Sequence, residues 1–207
     1  MSTVRADRPI RAVRVLAFAG SARAGSFNGK LLAVAARAAR DLGAEVTPLD
    51  LRSLALPVYD AEIEAAGMPA GALELRRLMV THDALLIGSP EYNGFPTPLL
   101  INSLDWTSRV AAADGLPSGL AAMGGKVVGV MSASPGPMGG LRSLGFARQF
   151  LHNTLGMLVV PEQFALVQAG KAFDEQGALV DPKQQQGVER VVASVLRVAG
   201  ALQAPAA

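Results

Sequence analysis

The chain contains no cysteine. Disulfides, thiolate nucleophiles and thiolate metal sites are therefore excluded. Histidine is almost as scarce: His82 and His152 are the only two in 207 residues, and they stand far apart. A His-based metal centre is not expected, and each reads as an ordinary helix residue. Charge of either sign is modest, 17% of residues with a net charge of +2. No basic run is interleaved with aromatics, which speaks against nucleic-acid binding. No uncharged apolar run reaches the roughly 20 residues of a membrane-spanning helix. Residues 1–11 carry three arginines and an aspartate but no apolar signal core. A short disordered tail over residues 1–12 and a cytoplasmic protein are the expectation.

Half of the sequence is hydrophobic, and 207 residues suffice for one domain with a sizeable core, here expected over residues 13–202. Short apolar runs alternate with helical patterns throughout. Strands are expected at residues 13–19, 45–51, 84–88, 126–131 and 158–160. Pro48 cannot donate to a ladder, so the second strand belongs at a sheet edge. The third, Ala84-Leu85-Leu86-Ile87-Gly88, is apolar throughout, as a strand covered on both faces should be. Helices are expected at residues 30–40, 70–81, 98–110, 141–155 and 183–202. Leu73, Leu75, Leu78 and Met79 supply the apolar face of the second. Leu99, Leu100, Ile101, Leu104 and Trp106 make the third wide enough to suggest a subunit contact. Residues 111–125 read as a soft linker, 164–181 as irregular, and 203–207 as a fraying end. No internal repeat or low-complexity segment is present.

Alternating strands and helices imply an α/β, doubly wound, five-stranded parallel sheet. The five-strand order 2-1-3-4-5, flavodoxin-like, matches the count and puts the topological switch between strands one and three. A ligand then belongs on the loops after those strands. Those loops are unusual. The first runs Gly20-Ser21-Ala22-Arg23-Ala24-Gly25-Ser26-Phe27-Asn28-Gly29 and leads into a helix that Ser26 or Asn28 could cap. Helix N-termini carry unpaired N–H groups and a positive dipole end, so they accept anions. Ser21, Ser26 and Asn28 add neutral donors, and Arg23 adds a planar fork suited to phosphate. A Mg-nucleotide loop needs Lys-Ser/Thr straight after its last glycine, where this chain has Ser26-Phe27. The dinucleotide fingerprint needs a second glycine where Ala22 stands, although Asp50 at the end of the next strand has the place of a ribose-binding acid. A single phosphomonoester fits better.

The second loop, Ser89-Pro90-Glu91-Tyr92-Asn93-Gly94-Phe95-Pro96, offers a rigid turn, an aromatic plane, an amide, and a glycine where backbone N–H groups can approach closely. Those are the needs of a planar heterocycle whose edge alternates donors and acceptors, as a flavin's does. Glu91 has no partner acid or histidine nearby to make it a catalytic base, and the serines lack a His/Asp set for a hydrolase triad. The third loop is Ser132-Ala133-Ser134-Pro135-Gly136-Pro137-Met138-Gly139-Gly140.

Gly20-Ser21-x-Arg23-x-x-Ser26-x-Asn28, Pro90-Glu91-Tyr92-Asn93-Gly94 and Ser134-Pro135-Gly136-x-x-Gly139-Gly140-x-Arg142 together resemble the NADPH-dependent FMN reductase family, the flavodoxin-like group with bacterial quinone, azo-dye and chromate reductases. The likeness runs over residues 13–180. It implies that Ser21, Arg23, Ser26 and Asn28, with Phe27 between them, hold the FMN phosphate. It implies that Pro90, Glu91, Tyr92, Asn93 and Gly94 hold the isoalloxazine, and that Ser134, Pro135 and Gly136 close its other edge. Where the family often has serine after Asn-Gly, this chain has Phe95-Pro96. The implied activity is two-electron transfer from NADPH or NADH, through FMN, to quinones, azo compounds, free flavin or metal oxyanions. No side-chain catalyst and no metal are required. The implied assembly is a homodimer or homotetramer. The alternative from another class is a flavodoxin-type electron carrier; such carriers tend to be acidic, and this chain is not.

Overall fold

The computed structural model describes residues 11–203. Five strands form one parallel sheet: β1 (Arg14–Ala19), β2 (Glu45–Leu49), β3 (Ala84–Gly88), β4 (Val127–Ala133) and β5 (Leu158–Leu166). Their order is β2-β1-β3-β4-β5, with β1 in register against both β2 and β3. The expected order is thus the observed one. Pro48 sits in the edge strand β2, opposite Ala17, where its missing N–H breaks no second ladder.

Helices cover both faces. On one lie α1 (Phe27–Asp41) and α7 (Pro182–Leu202). Their core with the sheet includes Val15, Ala17, Leu31, Leu86, Met131, Val191 and Val195. On the other lie α3 (Ala70–Thr81), α4 (Pro98–Arg109), the short α5 (Gly119–Met123) and α6 (Leu141–Gln149). There Leu16, Phe18, Leu75, Leu85, Ile87, Leu104 and Val130 are buried together. Alternate residues of β1 and β3 thus serve opposite cores, which is why those strands read as unbroken apolar runs. Each such Leu, Ile or Phe contributes about 1.5–3 kcal/mol relative to exposure.

Several expectations are corrected. Leu73 faces outward, 41% exposed, while Leu75, Leu78 and Met79 are buried. Trp106 is wholly buried, its indole N–H donates to the Pro57 carbonyl at 2.8 Å, and Tyr59 packs edge-on to it. The Trp106 part of α4's apolar width is therefore absorbed within the chain, while Leu99 and Ile101 stay half-buried. A short helix, α2 (Ala61–Ala66), follows the Asp60 cap, and α5 breaks the stretch expected to be linker. The strand β2 stops at Leu49, because Asp50 turns the chain into a 3-10 turn over Leu51–Leu54. After Gln149 the helix widens into a π turn, Phe150–Thr154. The strand β5 continues six residues past Val160, because the ladder to β4 skips between Val128 and Val130. That irregularity spares Pro161 a ladder bond. His82 is buried at the end of α3, with its ring between the Leu78 carbonyl and Thr47 Oγ1, both at 2.8 Å. Arg11 is not free: its guanidinium grips both oxygens of Asp83. The rest of the expected N-terminal tail, residues 1–10, lies outside the described residues, as do residues 204–207.

Candidate active site

The loops after β1, β3 and β4 meet at the carboxyl end of the sheet and enclose a cleft of about 380 Å³. That is within the about 300–1,000 Å³ of small-molecule sites. Ser21, Arg23, Ser26, Phe27 and Asn28 line it from the first loop. Pro90, Glu91 and Tyr92 come from the second, and Ser134 and Pro135 from the third. Asn93, Gly94 and Gly136 lie just outside.

At the first loop, Ser26 caps α1: its Oγ accepts from the Gly29 N–H at 3.0 Å. The N–H groups of Phe27 and Asn28, in the opening turn, have no intrahelical acceptor and stay available to an anion. Arg23 is exposed, has no carboxylate partner among the described residues, and stands over the Phe27 ring at 5.2 Å. That contact steers the guanidinium without consuming its donors. Arg52 braces the loop from outside, donating to the Ala22 carbonyl at 3.1 Å. Gly20 is required by packing, since a Cβ there would stand 2.6 Å from Thr97 Oγ1 and 2.8 Å from Leu100 Cβ. Thr97 caps α4 and donates to the Gly20 carbonyl, coupling the first and second loops.

Asn28 does a different job from the one expected of its side chain. Its Nδ2 donates to the Ala133 carbonyl at 2.9 Å and its Oδ1 accepts the Ala133 N–H at 3.0 Å. Both ends of the amide are spent clamping α1 to the end of β4, so only the backbone N–H remains for an anion. The Glu91 side chain is likewise engaged within the protein. Its carboxylate accepts from Arg142, 2.8 Å from Nε, and from the Ser143 N–H at 3.2 Å at the start of α6. It staples the second loop to the third and has no free oxygen to serve as a base. Burial pushes this carboxyl up, but the Arg142 bond and the Ser143 N–H outweigh it and hold the group below the usual carboxylate range.

The second loop is a tight turn closed by reciprocal bonds between Tyr92 and Phe95, each 3.0 Å. Asn93 and Gly94 take φ of 54° and 84°, the left-handed pair such a turn demands. Gly94 thus answers a backbone need, and a Cβ added there would meet no protein atom within 4 Å. Tyr92 and Phe95 are 51% and 49% exposed at the mouth, and Phe95 stacks on Phe146 of α6 at 4.7 Å. In the third loop, Ser134 Oγ accepts from the Gly136 N–H, and Ser132 Oγ donates to the Gly139 carbonyl. The partners that sequence reading missed are Ala133, Arg52, Thr97, Ser143 and Phe146. Only Arg142, inside the third motif, carried a signal of its role.

A family model described as NADPH-dependent FMN reductase matches residues 13–171. The chain belongs to that family. Among curated proteins it is 30% identical to an NAD(P)H-dependent FMN reductase of Pseudomonas aeruginosa, over 86% of this chain and 90% of that one. It is 34% identical to a probable NADPH:quinone oxidoreductase of rice, Oryza sativa subsp. japonica, over 92% of each. A solved flavoenzyme, an NAD(P)H:(acceptor) oxidoreductase from Paracoccus denitrificans, superposes with a TM-score of 0.72 at 26% identity, covering 90% of this chain and 98% of its own. Members of this family are oxidoreductases that use FMN and NAD(P)H, and so is this one. No helix among the described residues is long and apolar enough to cross a membrane.

The cleft fits that cofactor on its own chemistry. One end carries an unpaired guanidinium and free helix N–H groups, a phosphate's requirements. The other is walled by Tyr92 and the Ser134-Pro135 backbone.

Proposed function

We propose that the three loops hold FMN with its phosphate at the first and its ring between the second and third. The protein then passes electrons from NAD(P)H to small acceptors: quinones, azo compounds, free flavin or metal oxyanions. The observation that carries this is the convergence of ten motif residues from three distant segments on one cleft. When bound, FMN supplies two-electron acceptance and delivery. The chain's own part is to bind and orient. Arg23 and the N–H groups of Phe27 and Asn28 take the phosphate. Tyr92 offers a plane for stacking, and the backbone around Asn93 and Gly94 offers donors near the mouth. Glu91 and Asn28 act as positioning residues, fixing the second and third loops against α1.

The apolar side chains left uncovered at the mouth, Tyr92, Phe95, Met138, Leu141 and Phe146, favour a homo-oligomer with this end of the sheet at the contact. A sedimentation run at micromolar concentration tests that, and a monomer refutes it. A cytoplasmic location follows from the supply of NAD(P)H. The electron-carrier alternative has no observation in its favour: the net charge is +2, where docking on basic partners calls for an acidic protein. The decisive measurement is an absorbance spectrum of the purified protein before and after anaerobic NADPH. A yellow protein that bleaches is expected. A protein that binds no FMN and oxidises no NADPH overturns the reading.

A further inference from the structure

The cleft described above lies at the carboxyl ends of the strands. The opposite edge of the sheet carries a second group of charged residues. Arg14 opens β1, and Asp83 and Lys126 stand just before β3 and β4. A cavity of about 260 Å³ opens at this edge. Arg11, Asp83 and Lys126 line it, with Gly124 and Gly125 before β4 and Gln203 at the end of α7.

Three cations thus share one acid, and that acid is spent. Asp83 Oδ1 accepts from Arg11 Nη2 at 2.5 Å. Its Oδ2 accepts from Arg11 Nη1 at 2.6 Å and from the Arg14 backbone N–H at 2.8 Å. Among the described residues, the Lys126 ammonium is left with one hydrogen bond, to the His82 carbonyl at 2.7 Å. The α7 side of the cavity brings no acid, only Ala199, Leu202 and Gln203. Burial pushes the Lys126 ammonium below the usual lysine value; Asp83 opposes this, and Arg14 and Arg11 add to it. More of Lys126 is then neutral amine than of an exposed lysine at the same pH, and the neutral amine is the nucleophile.

The surroundings suit a small anionic electrophile. Gly124 and Gly125 are exposed and bring no side chain to the rim. The surplus of cations draws an anion. Gln203 Nε2 is buried without an acceptor among the described residues, and it can donate to a phosphate oxygen. The product fits as well. An acylated Lys126 keeps one N–H for the His82 carbonyl, and a neutral amide replaces a desolvated charge.

We propose that Lys126 is an N-acylation site, with a small acyl phosphate as the donor. The amine attacks the carbonyl carbon and forms the amide bond. The carbon–oxygen bond to phosphate breaks, phosphate leaves with that electron pair, and one amine proton passes to solvent.

The test treats the folded full chain with limiting acetyl phosphate at neutral pH and reads acetyl occupancy at each lysine by mass spectrometry. The chain has four lysines, and Lys30, Lys171 and Lys183 are exposed. Exposure alone would label those three first. Lys126 should instead exceed each of them by roughly threefold or more. The lead should shrink as pH rises past the ordinary lysine value of about 10.4, and it should vanish in concentrated urea. No lead in the folded protein, or a lead that survives urea, overturns the site. Arg14→Gln removes a cation and keeps the backbone N–H that holds Asp83. It should lower Lys126 occupancy by roughly threefold with Lys171 unchanged, and undiminished Lys126 labelling overturns the assignment. Neutral p-nitrophenyl acetate should favour Lys126 less than acetyl phosphate does, and an equal preference overturns the anionic donor.

Discussion

On the proposed FMN site, Arg23 is the residue on which cofactor choice should turn. It is one fixed charge beside one helix N-terminus, a set matched to a terminal phosphate rather than to a pyrophosphate carrying adenosine. Arg23→Ala should weaken FMN binding by about 1.5–3 kcal/mol, the scale of a charge-assisted hydrogen bond. Fluorescence titration of the apoprotein measures this, and tighter binding of FAD than FMN would contradict it. Glu91 carries a different expectation because its contacts are within the protein. Its folded pKa is depressed, so its pairing with Arg142 stabilises fully above the unfolded carboxylate pKa and is lost as pH falls through the folded value. Wild type should therefore be more stable than Glu91→Gln at pH 7, and the gap should close below about pH 4. A gap that persists in acid would show the carboxylate charge to be irrelevant. Both Arg23 and Glu91 were legible as site residues from their loops. What was not legible is that Asn28 and Glu91 point their side chains at Ala133 and Arg142, over a hundred and about fifty residues away in sequence. No local pattern encodes such contacts; they exist only once the loops converge.

At the scale of elements, the strands were readable because burial on both faces leaves continuous apolar runs, as in Ala84–Gly88. The short helices were not. Six residues at Ala61–Ala66 and five at Gly119–Met123 are too few to display a helical period. They form because side chains of Asp60 and Ser118 cap them. The third loop is where element geometry meets the site most tightly. Gly139 has φ of 62°, and a Cβ there would stand 2.8 Å from the backbone of Ala165 and Leu166 in β5. Gly139→Ala should cost at least about 1–2 kcal/mol from the left-handed backbone alone. The clash should also displace Ser134–Gly136, so FMN affinity should fall with stability. A thermal shift without a change in FMN affinity would show that the third loop takes no part in the cleft.

At the scale of the whole molecule, the arrangement constrains kinetics. The mouth of the flavin cleft is bordered by Tyr92 and, beside it, the Phe95–Phe146 pair. It offers one face to planar molecules. Nicotinamide and acceptor must then take turns at that single face. Initial rates should give parallel double-reciprocal lines, and high NADPH should compete with the acceptor. Contact with the acceptor is mostly aromatic stacking, worth about 0.5–1.5 kcal/mol per pair beyond burial, so several unrelated quinones should be accepted. Phe95 is half exposed at the mouth and does not line the cleft itself. Phe95→Ala should accordingly raise the acceptor KM while leaving the rate of flavin reduction by NADPH nearly unchanged. Stopped-flow reduction separates the two half-reactions. Intersecting lines would require donor and acceptor to be bound together, and would remove the shared face while leaving the FMN site in place.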